Sequence, residues 1–256
     1  MVYIDILHMK QTLKEATKDN IFDLNIEEME KAGLHFGHRT SKTHPKMKPY
    51  IAGIRNTIHI IDLEKTKKKL AEALGFIEKL ISEKKTLLIV GTKVQFKKLV
   101  KEVSQECGLP YVNERWLGGT FTNFPVIKKR VEYMKELERK LADPKIMENY
   151  KKKERKKMEE ELEKLKLKFE GIRNLEGLPA AIFVLDMNKD ALAVKEASRK
   201  GVAVIGISDT NSDASLADYP IPANDDAISS VKYILDKIRG VILKVKNSQS
   251  QAPNSK

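Results

Sequence analysis

Positive charge is concentrated between residues 37 and 69, which we name the basic segment. Nine Lys or Arg residues stand there against two acidic residues, a net charge of about +7. Lys and Arg neutralise phosphate oxygens, and glycine lets the backbone approach a ligand closely. A solvated charged loop is the alternative, but so large an excess favours RNA as the partner. The candidate phosphate-binding residues here are Arg39, Lys42, Lys46, Lys48 and Arg55.

A second set of candidate RNA-binding residues lies where predicted elements begin or end. Lys93 follows a predicted strand, and Arg115 precedes Trp116, the only tryptophan of the chain. Three further cations lie at the start of a long helical stretch. A hinge in which Trp116 packs is the alternative for the Arg115 segment, and it is compatible with a phosphate contact. The set comprises Lys93, Arg115, Lys128, Lys129 and Arg130.

Carboxylates follow two of the predicted strands, at the edge where parallel sheets bind ligands. Such a group could hold a divalent cation. Asp is also favoured at helix N-caps and in turns, and we favour these structural roles. The aspartates concerned are Asp186, Asp209 and Asp213, followed by Asp225 and Asp226.

Four of the five histidines fall within one stretch, at His35, His38, His44 and His59. Metal ligation is conceivable, but the Lys and Arg residues between them would repel a cation. Stacking on RNA, hydrogen bonding to it or simple packing is favoured. The sequence therefore predicts no metal site.

The sequence lacks the motifs of several enzyme classes. It has no G-x-G-x-x-G and no G-x-x-x-x-G-K-[ST], so the phosphate cradle of a nucleotide or dinucleotide enzyme is missing. It has no G-x-S-x-G nucleophile motif. The single cysteine, Cys107, excludes an intrachain disulfide and a Cys-cluster zinc site, and it is predicted to be a small core residue. We predict no catalytic residue and no cofactor.

Length and net charge narrow the class of protein. The chain has 256 residues and a formal net charge of +12, which favours a polyanionic partner, either nucleic acid or an anionic membrane surface. No apolar run approaches the ~20 residues that a membrane span needs. Residues 1–20 lack the apolar core of a secretory signal. We expect a soluble intracellular protein.

Strands and helices are predicted to alternate, which indicates a parallel sheet with helices on both faces. The clearest strands are continuous apolar runs, at 86–91, 180–186 and 201–208. Proline confines 219–222 to a sheet edge, and 34–55 is predicted to be an ordered but irregular loop. Shorter strands are predicted at 57–61 and 111–112, and helices at 63–82, 94–107, 191–200 and 226–245.

The charged stretch 123–170 is predicted to be an inserted antiparallel coiled-coil hairpin about 30 Å long. Its first apolar stripe is Ile127, Val131, Met134, Leu137 and Leu141, and its second is Met158, Leu162, Leu165 and Phe169. Asp143 and Pro144 interrupt the two arms. The basic run at 151–157 is either a solvated surface or a means of reaching a second RNA segment.

These patterns divide the chain into four parts. An N-terminal extension covers residues 1–24, and a discontinuous α/β domain covers 25–122 and 171–245. The hairpin covers 123–170, and a disordered polar tail covers 246–256. Residues 171–240 carry a net charge of about −2, so we expect different parts to meet different partners.

Short segments in order along nearly the whole chain resemble the ribosomal protein S2 family of the bacterial small subunit. They are 33–38 (GLHFGH), 45–51 (PKMKPYI), 58–63 (IHIIDL), 90–93 (VGTK), 113–123 (NERWLGGTFTN), 177–179 (GLP), 194–197 (VKEA), 209–211 (DTN) and 221–227 (IPANDDA). Residues 187–189 and 214–215 differ from the commoner forms of the family.

The resemblance implies a flavodoxin-like α/β domain with a coiled-coil insertion. It implies binding to small-subunit ribosomal RNA near the head–body junction, and help in recruiting ribosomal protein S1. The acidic surface of Asp186, Asp209 and Asp213 would then face a protein partner. The predicted protein is a non-enzymatic, cytoplasmic constituent of the ribosome, with no membrane partner and no small-molecule substrate.

Two alternatives stay open at the level of sequence. One is a sugar-phosphate or nucleotide enzyme that uses the crevice at the carboxyl ends of the strands, because this architecture hosts many functions. The other is a free coiled-coil adaptor, which explains the hairpin but leaves the basic segment unexplained.

Overall fold

The computed structural model describes residues 22–251. Most of the predicted N-terminal extension and the last residues of the predicted tail therefore lie outside the described residues. The chain divides into two compact units. Of the described residues, unit one comprises 22–85, Leu185–Asn188 and 205–251, and unit two comprises Thr86–Val184 and Lys189–Val204. The four-part division predicted from sequence stays a prediction.

Helices and strands alternate along most of the chain. The strands are β1 (Phe36–Arg39), β2 (Ile51–Arg55), β3 (Ile58–Ile61), β4 (Leu87–Val90), β5 (Tyr111–Val112), β6 (Ala181–Val184), β7 (Ala203–Ser208) and β8 (Tyr219–Pro222). The α-helices are α1 (Ile26–Lys31), α2 (Leu63–Ser82), α3 (Lys97–Cys107), α4 (Phe124–Ala142), α5 (Pro144–Glu148), α6 (Lys152–Phe169), α7 (Ala191–Lys200) and α8 (Ile228–Gln251).

Five of these strands form a parallel sheet in the order β5-β4-β6-β7-β8, flanked by helices. Numbered among themselves, they follow the order 2-1-3-4-5, which is that of flavodoxin-like folds. Every residue of β4 and β6 is buried, which explains why their sequences are continuously apolar. The predicted α/β class with a parallel sheet flanked by helices is confirmed, and β8 with its two prolines lies at an edge as expected.

A second, antiparallel sheet occupies part of the stretch that the sequence predicted to be an irregular loop. Its order is β1-β3-β2, and only β3 was predicted. The prediction for 34–55 is therefore wrong for β1 and β2. Both strands lack the alternation of apolar and polar residues, because most of β2 is exposed and each strand has a register shift against β3.

Helix α2 shows how local sequence sets an element that supports the basic segment. Asp62 caps its start, accepting hydrogen bonds from the backbone of Glu64 (3.1 Å) and Lys65 (3.4 Å). Its apolar face, which includes the fully buried Leu70 and Leu74, packs against β8 and α8. Because β3 ends at Ile61, directly before the cap residue Asp62, the packing of α2 also holds the end of β3 against the core of unit one.

Helices α4 and α6 pack against each other within unit two. Four of the five residues of the first predicted stripe are buried, whereas only Phe169 of the second stripe is. Glu138 of α4 pairs with Lys166 of α6 at 2.5 Å, and Tyr133 donates a hydrogen bond to Glu161 (3.1 Å). The coiled-coil character of the pair stays a prediction.

Helix α8 continues to Gln251, past its predicted end at Val245. The beginning of the predicted disordered tail is therefore helical. Among residues 22–251, no helix is both long and apolar enough to cross a membrane.

Candidate nucleic-acid interface

The antiparallel sheet arranges two candidate arginines on one face. Ile58 of β3 lies opposite Arg39 of β1 and opposite Arg55 of β2. Directly opposite residues of antiparallel strands project to the same face. The two guanidinium groups therefore flank Ile58, and both arginines are exposed. Sequence spacing alone, 16 residues apart, does not reveal this pairing.

An apolar surface continues the same face beyond the arginines. The register shift in β1 brings Phe36 opposite Ile60, and Phe36 is 44% exposed. Gly53 of β2 also lies opposite Ile60, and no atom stands within 4 Å of the place where a Cβ would be. The face thus combines two cations with accessible apolar surface.

The three candidate lysines lie between β1 and β2, on two short 3-10 helices, Thr40–Lys42 and Pro45–Tyr50. Lys42, Lys46 and Lys48 are exposed. Between them, His44 donates its backbone N–H to Thr210 (2.8 Å), and Met47 is fully buried. Thr43 and His59 form a side-chain hydrogen bond. The backbone is therefore ordered while the lysine ammonium groups remain in solvent.

The second set of candidate cations lies entirely in unit two. Lys93 is half-buried, and the other four residues are exposed. Lys128, Lys129 and Arg130 lie near the start of α4. The structure thus brings together the candidates of each set within one unit, and the role of every one of these residues stays a prediction.

Glu196, which sequence analysis did not single out, organises the loop that follows Arg115. We name residues 116–122 the Trp116 loop. One carboxylate oxygen accepts hydrogen bonds from the Trp116 indole (3.4 Å) and the Gly119 N–H (2.8 Å). The other accepts from the Phe121 N–H (2.9 Å), the Thr122 N–H (3.1 Å) and the Thr122 hydroxyl (3.2 Å). The sequence signal that could have identified Glu196 is its position as the one glutamate on the otherwise apolar face of α7.

The charge of Glu196 is stabilised despite its burial, since the residue is only 3% exposed. Burial raises the pKa of this carboxyl group, but the backbone hydrogen bonds from Gly119, Phe121 and Thr122, with that from Trp116, outweigh it. The net effect is a pKa below the usual value. Glu196 is therefore an ionised acceptor at neutral pH.

The predicted acidic residues meet a histidine of the basic segment. His38 lies 3.1 Å from Asp209 through Nδ1 and 3.3 Å from Asp226 through Nε2. Asp213, by contrast, accepts hydrogen bonds from the backbone and hydroxyl of Ser215, as a turn residue does. Asp186 likewise accepts from the backbone of Asn188 (2.8 Å). Asp209 and Asp226 thus interact with His38, whereas Asp186 and Asp213 bond to residues two positions further along the chain.

The hydrogen bond to Asp209 raises the pKa of His38 above its ordinary value. Burial opposes this shift, and the charges of Asp209, Asp225 and Asp226 add to it. Ligand atoms of His38, Asp225 and Asp226 all lie within 4.8 Å of one another. One imidazole and two carboxylates could hold a divalent transition metal. No sequence pattern links the histidines to the aspartates, and the prediction of no metal site stays a prediction.

A cavity of about 510 Å³ in unit two bears on the enzyme alternative. Its lining includes Thr86 and Pro110, which precede β4 and β5. It therefore opens at the amino ends of these strands, whereas parallel sheets bind substrates beyond the carboxyl ends. This cavity does not support the alternative of an enzyme that uses the crevice at the carboxyl ends of the strands.

Comparison with known proteins identifies the family. Residues 29–244 match the family described as Ribosomal protein S2. Small ribosomal subunit protein uS2 of Dictyoglomus thermophilum is 47% identical over 222 residues, covering 87% of this chain and 90% of the relative. The protein of the same name from Dictyoglomus turgidum is 46% identical, covering 85% of this chain and 88% of the relative. That from Coprothermobacter proteolyticus is 43% identical, covering 86% of this chain and 82% of the relative.

These relatives carry the name of a ribosomal protein and not of an enzyme, in agreement with the prediction of a non-enzymatic protein. The order of the parallel strands is also the one that the resemblance implied. With a family match over most of its length and identities of 43–47%, the chain belongs to the ribosomal protein S2 family.

Proposed function

We propose that the protein is a structural constituent of the small ribosomal subunit, that it binds small-subunit ribosomal RNA near the head–body junction, and that it helps to recruit ribosomal protein S1. Membership of the family supports the first statement and a cytoplasmic location in the ribosome. The place on the subunit and the partner S1 rest on the resemblance. RNA binding rests on one observation, the exposed pair of arginines on the antiparallel sheet.

Arg39 and Arg55 suit a contact with adjacent phosphates because they stand on neighbouring sides of one β-strand. Guanidinium groups bind phosphate oxygens in a planar, two-bonded geometry. Lys42, Lys46 and Lys48 add point charges from an ordered backbone. Phosphate contacts position a protein without reading sequence, so specificity would come mostly from the shape of the RNA.

The cations of unit two would bind a further RNA element. Arg115 and the three cations at the start of α4 are exposed. In the packed pair α4 and α6, the lysines of the run 151–157 are exposed as well. The pair would brace a second RNA element or a neighbouring ribosomal protein.

The acidic residues would face a protein partner. Fewer of them are accessible to that partner than the sequence predicted. Asp186 and Asp209 are buried, so a partner would meet Asp213 and Asp226, which reach solvent. An acidic surface of this kind suits a basic segment of a partner such as ribosomal protein S1. It does not suit RNA.

The triple variant Arg39→Gln, Lys46→Gln and Arg55→Gln tests the RNA-binding proposal. It should bind small subunits assembled without this protein more weakly than the wild type does. Binding measured by co-sedimentation between roughly 50 and 200 mM salt should show a slope of log affinity against log salt shallower by about 2 to 3, because each lost phosphate contact removes about 0.9.

A matched control removes the same charge elsewhere, by Lys98→Gln, Lys101→Gln and Lys200→Gln, all exposed lysines of unit two. This control should keep the wild-type salt slope. If the first triple variant also kept the wild-type affinity and slope, the basic segment would not be the RNA-binding surface.

A further inference from the structure

We propose that Glu196 is the positioning residue for the RNA-binding cations of unit two: through the Trp116 loop it sets the directions in which Arg115 and the start of α4 present their charges. The inference rests on the proposed function. It extends that function to a buried residue that touches no RNA.

Three backbone N–H groups of the Trp116 loop donate to Glu196. Within the loop, the Thr120 N–H bonds the Leu117 carbonyl (3.1 Å). The N–H groups of Gly119, Phe121 and Thr122 instead converge on Glu196. The Phe121 N–H is buried and the other two are half-buried, and a buried N–H group without an acceptor is strongly unfavourable. The loop conformation therefore depends on one carboxylate.

Glu196 is itself held on a packed helix. It lies on the buried face of α7, between the buried Val194 and Ala197. On the loop side, Gly118 packs on Leu192 of the same helix, where a Cβ would stand 3.7 Å from the leucine Cδ2. A site built on a packed helix is more exact in position than one built on a loop.

The loop is joined to cations on both sides. Arg115 directly precedes Trp116, so it lies one residue from the point where Glu196 holds the indole. At the other end, the Asn123 N–H donates to the Gly119 carbonyl (2.8 Å). Asn123 is the N-cap of α4, yet its side chain makes no capping hydrogen bond. The start of α4, with Lys128 to Arg130 just beyond it, is thus tied to the loop.

The chain supplies its own reporter for this arrangement. Trp116 is the only tryptophan and is 5% exposed. Its ring meets Phe121 edge to face at 4.9 Å between centroids, and its indole N–H donates to Glu196. Because Trp116 is the only tryptophan, its emission reports the surroundings of the indole in the loop.

The test uses Glu196→Ala in the full-length chain, in chloride and in acetate at constant ionic strength. The variant leaves a space beside the orphaned N–H groups that acetate can enter as a replacement carboxylate. Two quantities are measured together: Trp116 emission, and affinity for small subunits assembled without this protein. Val103→Ala, at a buried position of α3, is the control for lost stability, and Glu102→Gln is the control for lost charge.

In chloride, Glu196→Ala should bind about tenfold more weakly than Val103→Ala, and its emission should shift. Acetate should restore emission and affinity together, and should do so for neither control. Glu196→Gln keeps the side-chain volume but replaces one acceptor oxygen with a donor. It should bind the subunits more weakly than wild type does, and acetate should change neither its emission nor its affinity. If Glu196→Ala does not fold, Glu196→Gln decides the matter against the same controls.

Affinities of the Glu196 variants equal to that of Val103→Ala, with shifted emission, would overturn the inference, because the loop would then be disturbed without consequence for binding. A wild-type protein that did not bind the depleted subunits would contradict the proposed function instead. The two failures are therefore distinguishable.

Discussion

The Trp116 loop and the basic segment are both attached to the fold through carboxylates, but the donors differ in kind. Glu196 receives backbone N–H groups, an indole and a hydroxyl. Asp209 and Asp226 share the imidazole of His38. Backbone N–H groups do not titrate, whereas an imidazole changes charge near neutral pH. The hydrogen bonds to Glu196 therefore suit fixed positioning, whereas the contacts of His38 with Asp209 and Asp226 depend on pH.

The two regions also differ in how they turn the chain. The Trp116 loop uses Gly119 at its left-handed position, with φ of +93°, where glycine is unstrained. The β2–β3 connection in the basic segment uses Asn56 at +48° and Thr57 at +65°. A β-branched residue in this region is strained. Backbone strain is thus stored next to Arg55 and not in the Trp116 loop.

The largest expected effect is on the Trp116 loop. Glu196→Ala should lower the free energy of unfolding by about 3 kcal/mol, because the buried Phe121 N–H and Trp116 indole, with two half-buried N–H groups, lose a charged acceptor. Urea unfolding followed by circular dichroism measures it. Glu102→Ala, at an exposed position with a 3.7 Å ion pair, should change stability by less than about 0.5 kcal/mol. Equal effects at both positions would show that the hydrogen bonds to Glu196 stabilise the protein no more than an exposed ion pair does.

A smaller effect of opposite sign is expected in the basic segment. Thr57→Gly should raise the free energy of unfolding by about 1 kcal/mol, since relief of left-handed strain exceeds the added entropy of the unfolded chain. Asn56→Gly is the matched control and should be close to neutral, because Asn tolerates this conformation. A destabilised Thr57→Gly variant would show that the turn is not strained.

The smallest expected effect is a difference in pH dependence. The pKa of His38 is raised by its hydrogen bond to Asp209, so its contribution is fully present below about pH 6.5 and is lost as pH rises through the folded pKa. The lowered pKa of Glu196 makes its contribution present above the unfolded pKa of the carboxyl group and lost as pH falls through the folded one.

Urea unfolding of His38→Asn and Glu196→Gln against wild type, in the presence of a metal chelator, measures both contributions across pH. The deficit of His38→Asn should shrink towards alkaline pH, and that of Glu196→Gln should shrink towards acid pH. Deficits that vary with pH in the same direction would refute the assignment of donors.

Much of the parallel sheet could be predicted because its strands are buried on both faces. The runs at β4, β6 and β7 are continuously apolar, and the helices between them end at glycines such as Gly108 and Gly201. The antiparallel sheet escaped prediction because β2 is mostly exposed and leaves no periodic signal. Because β1 and β2 were not predicted, the position of Arg39 and Arg55 on either side of Ile58 could not be predicted.

The candidate site was predictable in residue type but not in grouping. An excess of Lys and Arg in one segment is visible in any sequence, because charge needs no fold to be counted. The meeting of His38 with Asp209, 171 positions later, depends on which strands become neighbours. Glu196 and Gly119 are likewise joined across 77 positions.

The sequence by itself determined the parallel α/β class, the family and the basic character of the protein. Each of these follows from local composition, apolar periodicity or short motifs. Tertiary structure alone decided which carboxylates are satisfied by fixed backbone donors and which by a titratable side chain. The reason is that hydrogen-bond partners are chosen by distance in the folded chain, and loops of similar polarity carry no signal of the partner they will meet.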